Sequence, residues 1–382
     1  MSKPLRVLMV EDSTDDVLLL VRALTRGGYA PHYRQVDSAD ALRAALAAEP
    51  WDVVLSDHHM PHFDSMAALD IVKASGLDTP FLIVSGSIGE EAAVRAMKAG
   101  AQDYLMKGNL VRLCAAIDRE LQDAADRRAR QAAEKSLLSQ RENLRIAREV
   151  QQRLFPAAPP ALPGFDIAGA SLPAEATGGD YFDFIPMRNG QTAFVVGDVT
   201  GHGLGPALLM ADVRAYLRAL ALSYDDIREI LARAAHLLGD DFGLDRFVTL
   251  VILSLAPATR AFTYVNAGHP DGYVLDAHGN VRIFLHAMLP ALGLGPEADF
   301  PAPAPVVLQP GDLLLLMTDG IAEACSPAGE EFGTERALEA VRSARQRPAS
   351  DIVHSLFDAV LTFAAPTELE DDITAVVMKV QS

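Results

Sequence analysis

The feature that most limits what this chain can fold into is the stretch 109–155, which contains no glycine and no proline. It is rich in Ala, Leu, Glu, Gln and Arg, residues of high helix propensity, and therefore predicts one long helix. The segment PAAPPALPG (156–164) follows it and marks the end of the helix. A chain of 382 residues is long enough for two or three domains. We therefore expect a domain over 1–122, a helical linker over 123–155 and a second domain over 156–382.

The linker carries a weak heptad pattern. Leu137, Leu144 and Gln151 are spaced seven apart, with Val150 and Leu154 nearby, but the pattern is short and interrupted. One interpretation is a solvated connector helix. The other is a coiled coil that forms a homodimer and transmits a signal, because a long exposed helix is costly without a partner. Both interpretations remain open.

Charge and composition exclude several classes of protein. The formal net charge is -18 and the pI about 4.9, so nucleic acid and anionic membranes are poor partners. No apolar run reaches the roughly 20 residues that span a bilayer, and the N-terminal apolar stretch is too short for a signal peptide. Cys114 and Cys325 form neither a disulfide framework nor a metal-binding spacing. We expect a cytoplasmic protein.

Short β-type runs alternate with helical patterns in the first domain. This order predicts a parallel sheet covered by helices on both faces. Ligands of such sheets bind beyond the carboxyl ends of the strands. The runs are LRVLMV (5–10), DVVLSD (52–57), FLIVSG (81–86) and DYLMK (103–107).

Acidic residues follow two of these runs. Glu11 and Asp12 come directly after the first run, and Asp57 ends the second. Carboxylates that converge at one sheet edge repel one another unless a cation lies among them, and oxygen ligands suit Mg²⁺. Ser85 and Lys107 end two further strands on that edge, where a lysine can hold a phosphate group.

Residues 5–121 resemble the receiver domain of two-component response regulators. The resemblance is carried by the acid pair, by Asp57 with Pro61 four residues later, and by Ser85, Tyr104 and Lys107 in the family's order. Gly108 departs from the family, which usually has proline there. The resemblance implies a doubly wound, five-stranded parallel sheet and a sensor histidine kinase as partner. It also implies site roles: Asp57 as phosphoacceptor; Glu11, Asp12, Asp57 and the His59 carbonyl as Mg²⁺ ligands; Ser85, Tyr104 and Lys107 as switch residues.

The histidines His58, His59 and His62 suggest zinc at first sight. Three histidines on one five-residue loop rarely point at a single ion, and no fourth ligand is evident. We therefore do not expect zinc.

The second domain is rich in β-type runs with helical segments at about 204–220, 225–239 and 335–363. Short connections favour antiparallel pairing and an α+β fold. The runs are TAFVVGDV (192–199), RFVTLVILSLA (246–256), RAFTYVNAG (260–268), DLLLLMTDG (312–320) and ITAVVMKV (373–380).

Four aspartates of this domain stand at strand ends or glycine turns. They are Asp180, Asp198, Asp319 and Asp371, and no Lys or Arg lies beside them in sequence. If the fold brings them together, bound cations must neutralise them, and ligation by oxygen alone suits Mg²⁺ or Mn²⁺. Two such ions can activate water for attack on phosphorus. The pattern therefore indicates metal-assisted hydrolysis of a phosphoester.

The motifs GGDYFD, GDVTGHG, TDG and DDIT resemble the metal-dependent protein serine/threonine phosphatases, in particular the bacterial sporulation and stress-response branch. The resemblance covers about residues 145–380 and implies two packed antiparallel sheets flanked by helices. It implies that Asp198 bridges two Mn²⁺ or Mg²⁺ ions, with the Val199 carbonyl holding one. Asp319 and Asp371 would complete the first ion site and Asp180 the second.

Other residues near these motifs have less defined roles. Asp183 and Asp372 are candidate outer acids, and His202 either orients water or only lines its loop. His269, in NAGHPDG (266–272), is either a structural turn residue or a neighbour of the cleft.

Together, the two resemblances predict a response regulator whose output domain is a protein phosphatase. Its expected substrate is phosphoserine or phosphothreonine on an anti-sigma-factor antagonist or a similar phosphoprotein, as the resemblance implies. One alternative is a non-catalytic adaptor that binds a regulatory partner under receiver control. Another is a small-molecule phosphoesterase, for which the sequence shows no clear substrate pocket.

Overall fold

The computed structural model describes residues 2–86, 90–201, 203–239, 246–294 and 304–381. Contacts divide the chain into two compact units, Met1–Ser139 and Gln140–Ser382. This division places the two halves of the linker in different units. The boundaries expected from the sequence, after residues 122 and 155, stay a prediction.

The first unit is a five-stranded parallel sheet with helices between the strands. The sheet order is β2-β1-β3-β4-β5, which confirms the doubly wound arrangement. In chain order the elements are β1 (Lys3–Val10), α1 (Thr14–Arg26), β2 (Tyr29–Val36), α2 (Ala39–Ala48), β3 (Val53–Asp57), α3 (Ser65–Ala74), β4 (Phe81–Ser85), α4 (Glu90–Ala99) and β5 (Asp103–Met106).

Capping side chains shape the loops at the carboxyl edge of this sheet. Ser13 accepts a hydrogen bond from the Asp16 amide at the start of α1, and Asp64 accepts one from the Ala67 amide at the start of α3. Such caps satisfy amide groups that the helix leaves without partners. They fix the chain directly after the acidic residues of β1 and β3.

Strand β2 is absent from the runs that the sequence analysis identified. Its sequence, YAPHYRQV, buries only Tyr29 and Val36 and carries polar residues between them. It lies at the edge of the sheet, where a proline such as Pro31 is tolerated. Hydrophobic periodicity is therefore too weak to mark it.

The linker is one continuous helix, α5 (Leu113–Gln152), preceded by a 3-10 turn at Leu110–Arg112. The sequence predicted this helix over 109–155, and each end differs by a few residues. Its first turns pack Leu113 and Ile117 into the core of the first unit. Further along, Leu137, Leu144 and Val150 are each about half exposed.

The second unit consists of two five-stranded sheets. Their strand orders are β13-β10-β9-β8-β7 and β12-β11-β14-β15-β6. The elements are β6 (Phe165–Leu172), β7 (Tyr181–Pro186), β8 (Thr192–Val199), α6 (Leu204–Ala221), α7 (Ile227–Leu238), β9 (Val248–Ala256), β10 (Ala261–Ala267), β11 (Gly272–Leu275), β12 (Val281–Leu285), β13 (Val306–Val307), β14 (Leu313–Met317), α8 (Asp319–Glu323), α9 (Gly333–Ala344), α10 (Ala349–Ala364) and β15 (Ile373–Val380).

The two sheets pack face to face with helices outside. Within β8, Phe194 and Val196 join the core between the sheets, while Val195 and Val199 join the core beneath α6 and α7. Helices α9 and α10 cover the other sheet. This alternation follows from the two-residue period of a strand, and it confirms the expected pair of antiparallel sheets flanked by helices.

Two features of this unit differ from the sequence analysis. Five strands (β6, β7, β11, β12 and β13) were not identified, and the helix expected over 335–363 is two helices, α9 and α10. Pro348 precedes α10, where its lack of an amide proton and its fixed φ end one helix and begin the next. Within the described ranges, no helix has the length and apolar character needed to cross a membrane.

Candidate functional site

Three acids of the first unit meet at the carboxyl edge of its sheet. Because β1 pairs directly with β3, Glu11 and Asp12 lie next to Asp57. One carboxylate oxygen from each residue lies within 4.8 Å of the others. Glu11 is buried, with 2% of its surface exposed, and Ser13 donates its amide proton to Glu11 at 3.1 Å.

Lys107 joins this cluster from the end of β5. Its Nζ donates to Glu11 (2.8 Å), Asp16 (2.6 Å) and Asp57 (2.8 Å). Burial alone would lower the pKa of Lys107, but the hydrogen bonds to these carboxylates outweigh burial and raise the pKa. Burial raises the pKa of Glu11, and the hydrogen bond from Lys107 only partly offsets this increase. Among the described residues, Lys107 neutralises only part of the charge of Glu11, Asp12, Asp16 and Asp57, and the remaining negative charge suits a divalent cation.

Asp16 is a member of this cluster that the sequence analysis missed. It lies in the first turn of α1, four residues after Asp12, and its spacing was the available signal. The other expected residues line the same edge. Ser85 is buried at the end of β4 and accepts the Lys107 amide proton at its carbonyl (2.8 Å), and Tyr104 lies 5.9 Å from the His58 ring. The His59 amide lies 3.5 Å from Asp57 Oδ1.

The acids of the second unit gather where both sheets end. Asp180 directly precedes β7, and Asp198 is the second-last residue of β8. Asp319 follows β14 and begins α8, and Asp371 precedes β15. Because β14 and β15 are paired neighbours, the latter two acids reach the same end of the sheet.

The pKa of Asp198 shows that these acids share one site. Burial, followed by the charges of Asp319, Asp371 and Asp372, raises the pKa of Asp198 to about 7. Burial and the charges of Asp198 and Asp372 also raise the pKa of Asp180 well above its ordinary value. Such repulsion favours binding of cations. Among the described residues, no three of these carboxylates lie within 4.8 Å of one another, unlike the first-unit cluster.

Two ions, as the sequence analysis predicts, would need ligands spread over a wider region than a single ion. Magnesium takes one or two carboxylates and completes its shell with water, and two catalytic ions lie about 3.5–4 Å apart. Ligands shared between two centres therefore spread more widely than ligands of a single ion. Four carboxylates without cysteine or a described histidine among them match hard divalent cations.

Thr318 orients Asp180 within the site. Its Oγ1 donates to Asp180 Oδ2 at 2.8 Å and accepts the Thr374 amide proton at 3.0 Å. Thr318 is 1% exposed and Asp180 is 3% exposed. Thr318 was not among the expected site residues, although it directly precedes Asp319. Glu323, one helical turn after Asp319, is a second addition, since burial and the charges of Asp319, Glu331 and Asp371 raise its pKa.

Glycines let the loops approach one another closely. A Cβ on Gly179 would lie 2.4 Å from the Val199 carbonyl oxygen, and one on Gly178 would lie 1.9 Å from the Asp372 carboxylate. A larger residue at Gly179 would push the loop before β7 away from the end of β8, and one at Gly178 would push it away from the loop before β15. The expected metal-binding carbonyl of Val199 is therefore directly beside the GGD turn.

Asp372 and Asp183 bind protein groups. Asp372 accepts the Ala174 amide proton at 2.8 Å and lies 3.4 Å from the Asp180 amide, so it fixes the loop that carries Asp180. Asp183 is fully buried, and Arg218 of α6 donates to both of its oxygens at 2.6 Å. These bonds give Asp183 a role in attaching α6 to β7. His202 lies outside the described residues.

The end of the linker helix contacts the same loop. Gln151 donates to the Gly178 carbonyl oxygen at 2.6 Å and accepts the Gly178 amide proton at 3.1 Å. From the sequence, Gln151 was expected only as a residue of the heptad pattern. Only 5% of the Gln151 surface is exposed, and this burial results from its tertiary contacts.

Family models match both units. The response regulator receiver domain model matches residues 7–118, and the model described as stage II sporulation protein E (SpoIIE) matches residues 188–381. The second match covers half of the chain.

Curated relatives include two with long alignments. The protein IcfG of Synechocystis sp. is 25% identical over 361 residues, which are 87% of this chain and 52% of IcfG. The phosphoserine phosphatase RsbU of Bacillus subtilis is 25% identical over 238 residues, which are 62% of this chain and 69% of RsbU. The chain thus spans about half the length of IcfG.

Solved structures share the fold of the second unit. The SiaA-PP2C domain of Pseudomonas aeruginosa matches with a TM-score of 0.56 at 21% identity, over 65% of this chain and 98% of that domain. The PP2C phosphatase domain of SpoIIE from Bacillus subtilis, solved with a fragment of its regulatory domain, matches with a TM-score of 0.50 at 18% identity. This match covers 56% of this chain and 63% of that chain. The chain therefore belongs to the SpoIIE family, whose model matches residues 188–381, and a response regulator receiver domain precedes this match.

Proposed function

We propose that the second unit removes phosphate from phosphoserine or phosphothreonine on a partner protein, and that phosphorylation of Asp57 controls this reaction. The observation that carries the proposal is the convergence of Asp180, Asp198, Asp319 and Asp371. Burial, followed by the charges of Asp319, Asp371 and Asp372, raises the pKa of Asp198 to about 7, and such a cluster favours binding of divalent cations. The relative RsbU of Bacillus subtilis is a phosphoserine phosphatase, which supports the same substrate class.

Asp198, the Val199 carbonyl, Asp319 and Asp371 would hold one of two Mn²⁺ or Mg²⁺ ions, and Asp180 and Asp198 the other. When bound, the ions supply a water of lowered pKa and stabilise charge on the phosphoryl oxygens. The chain's own residues fix the geometry: Thr318 orients Asp180, and Asp372 holds the loop around it. The water oxygen would bond to phosphorus while the bond from phosphorus to the serine or threonine oxygen breaks. The proton that the water loses would pass to that oxygen, which gives inorganic phosphate and a free hydroxyl group.

Control would begin at Asp57, phosphorylated by a sensor histidine kinase. Glu11, Asp12, Asp57 and the His59 carbonyl would hold Mg²⁺ there. The new phosphoryl group would draw Lys107 and Ser85 toward itself, and Lys107 would give up part of its bonding to Asp16. Tyr104 beside His58 would move with that rearrangement.

The linker helix would carry this change to the phosphatase. It runs without interruption from Leu113 to Gln152, and Gln151 near its end holds the backbone two residues before Asp180. A rotation or shift of the helix would therefore move the loop that carries a proposed metal ligand. A homodimer through this helix would give such a movement a defined axis. The proposed physiological substrate is an anti-sigma-factor antagonist or a similar phosphoprotein.

Hydrolysis of p-nitrophenyl phosphate by the purified full chain with Mn²⁺ tests the catalytic part. Asp198→Ala should abolish Mn²⁺-dependent turnover, whereas the control Asp351→Ala, at an exposed position of α10, should leave it unchanged. Acetyl phosphate as phosphodonor should change the rate of the wild type. Absence of turnover with Mn²⁺ and Mg²⁺, with and without acetyl phosphate, would instead support the non-catalytic adaptor.

A further inference from the structure

A threonine lies directly opposite the central aspartate of the phosphatase site. In the antiparallel pair of β8 and β9, Asp198 is in register with Thr249. Opposite residues of such a pair share one face of the sheet, with Cβ atoms about 5 Å apart. Asp198 and Thr249 are both partly exposed, while their chain neighbours Val199, Val248 and Leu250 are buried. Thr249 therefore belongs to the rim of the acid site.

His269 fixes the hydroxyl group of Thr249 from inside the protein. Its Nδ1 lies 2.9 Å from Thr249 Oγ1, and the residue is 2% exposed. The His269 amide donates to Asn266 Oδ1 at 2.9 Å, and Asn266 Nδ2 donates to the Leu285 carbonyl oxygen at 3.0 Å. Because Asn266 belongs to one sheet and Leu285 to the other, both sheets hold the imidazole in place.

The imidazole is neutral and poorly satisfied apart from this bond. Burial lowers the pKa of His269 to about 3, and the Met317 backbone only partly opposes that shift. The contact with Met317 is weak, because Nε2 has no hydrogen bond of normal geometry in the described chain. Burying a polar atom without a hydrogen bond lowers the stability of the folded state, so a role other than stabilisation should be considered for His269. The side-chain hydrogen bond that His269 forms in the described chain is the one to Thr249.

The hydrogen-bonding capacity of the pair leaves acceptors at the rim. We assign the imidazole proton to Nε2, which faces the Met317 backbone, so that Nδ1 accepts the hydroxyl proton of Thr249. A hydroxyl oxygen has two acceptor lone pairs in addition to its donor. Since β-branched side chains are stiff at χ1, the lone pairs of Thr249 are held in fixed directions beside Asp198.

We propose that Thr249 is a positioning residue of the phosphatase site, which accepts a hydrogen bond from water held against Asp198 and so supports binding of a divalent cation. His269 acts through Thr249 by fixing its hydroxyl. The inference rests on the proposed function, because it uses the same acid site. It gives the NAGHPDG motif a role at the cleft rather than in a turn alone. Groups that orient ligands and waters around a metal in this way typically affect metal affinity 10–100-fold.

Thr249→Val and Thr249→Ser in the full chain test the proposal. Valine has the shape of threonine and favours strands, but it lacks the hydroxyl. We expect Thr249→Val to weaken Mn²⁺ binding, measured by calorimetry, about tenfold or more, and Thr249→Ser to stay within about threefold of wild type. The receiver acids are the same in every variant and contribute an unchanged background. Thermal unfolding in EDTA should be nearly the same for wild type and Thr249→Val.

A double-mutant cycle tests the role of His269. We expect His269→Leu to weaken Mn²⁺ binding like Thr249→Val, and the double variant to show no further loss, because one residue acts through the other. His269→Asn, which keeps a polar atom near the position of Nδ1, should recover part of the affinity. Additive losses in the double variant would overturn the role of His269.

The outcomes separate this inference from the proposed function. Mn²⁺ affinity of Thr249→Val within about threefold of wild type would overturn the inference, even if wild type hydrolyses p-nitrophenyl phosphate. Conversely, loss of Mn²⁺ affinity in this variant, with no hydrolysis by wild type, would sustain the role of Thr249 in cation binding and remove the proposed function.

Discussion

Gln151 binds both backbone groups of Gly178, donating to its carbonyl oxygen at 2.6 Å and accepting its amide proton at 3.1 Å. Gln151 lies in the last turn of the linker helix, and Gly178 lies two residues before Asp180. Both residues are buried, so water does not compete for these bonds. The helix end and the proposed metal-site loop therefore behave as one element.

Gln151→Ala should lower both stability and Mn²⁺ affinity. The substitution leaves two buried backbone groups without partners, at a cost of about 1–3 kcal/mol each. The released loop should also hold Asp180 less firmly, which weakens cation binding. Thermal unfolding in EDTA and Mn²⁺ titration by calorimetry measure the two effects separately. The exposed neighbour Gln152→Ala is the matched control, and a stability loss with unchanged Mn²⁺ affinity would make the contact purely structural.

Asp57→Ala should remove the response of the phosphatase to acetyl phosphate while leaving basal turnover in place. Asp57 is the proposed phosphoacceptor, and it lies in the first unit, whereas the proposed phosphatase ligands lie in the second. The measurement is the rate of p-nitrophenyl phosphate hydrolysis with Mn²⁺, with and without acetyl phosphate. Asp70→Ala, at an exposed position of α3, is the control. A response of equal size in Asp57→Ala would exclude Asp57 as the control point.

The stability of the metal-free protein should fall as the pH rises from about 4 to about 7. The pKa of Asp198 is raised from 3.8 to about 7, chiefly by burial. Between these values the folded state keeps a proton that the unfolded state has released, so raising the pH favours unfolding. Thermal unfolding in EDTA across this range should show the trend, and Mn²⁺ should offset it at the upper end. Asp198→Asn cannot titrate and should show a smaller slope, so equal slopes would contradict the prediction.

Asp183→Ala should destabilise the second unit without weakening Mn²⁺ binding. Asp183 is fully buried and binds Arg218 through both oxygens, as well as the Tyr181 hydroxyl at 2.8 Å. Breaking a buried ion pair costs about 3–5 kcal/mol, and the partial exposure of Arg218 places this pair at the low end. Arg218→Ala should give a similar loss in thermal unfolding. A large fall in Mn²⁺ affinity for Asp183→Ala, without such a fall for Arg218→Ala, would show that Asp183 supports metal binding.

Glutamate at both Leu137 and Leu144 should convert the proposed dimer to a monomer. These leucines are 47% and 45% exposed on α5 and are seven residues apart, so they lie on one face of the helix. Buried charges at such seam positions oppose association. Sedimentation velocity measures the change, and Leu138→Glu, one position round the helix, is the control. An unchanged sedimentation coefficient in the double variant would rule out a dimer interface at Leu137 and Leu144.

Strands with long apolar runs could be identified from the sequence, whereas strands that are short, interrupted by a charged residue or largely polar could not. The runs at 192–199 and 373–380 coincide with β8 and β15, because both faces of these strands are buried. Strand β2 has a polar surface at the sheet edge, and β6 carries glycine and partly exposed residues. Their strand conformation depends on pairing with distant segments, which local pattern does not record.

Sequence alone determined which acids, glycines and helix-forming stretches the chain contains and where along it they stand. Local chemistry is enough for this, since an aspartate at a strand end or a run without glycine and proline has the same meaning in any context. Tertiary structure alone decided that Gln151 binds Gly178 and that Thr318 binds Asp180, pairs 27 and 138 positions apart. It also decided that Asp183 forms an ion pair with Arg218, whereas Asp198 lies near other carboxylates. These assignments depend on which strands pack together, because hydrogen bonds and charge repulsion act over a few ångströms of space and not over distance along the chain.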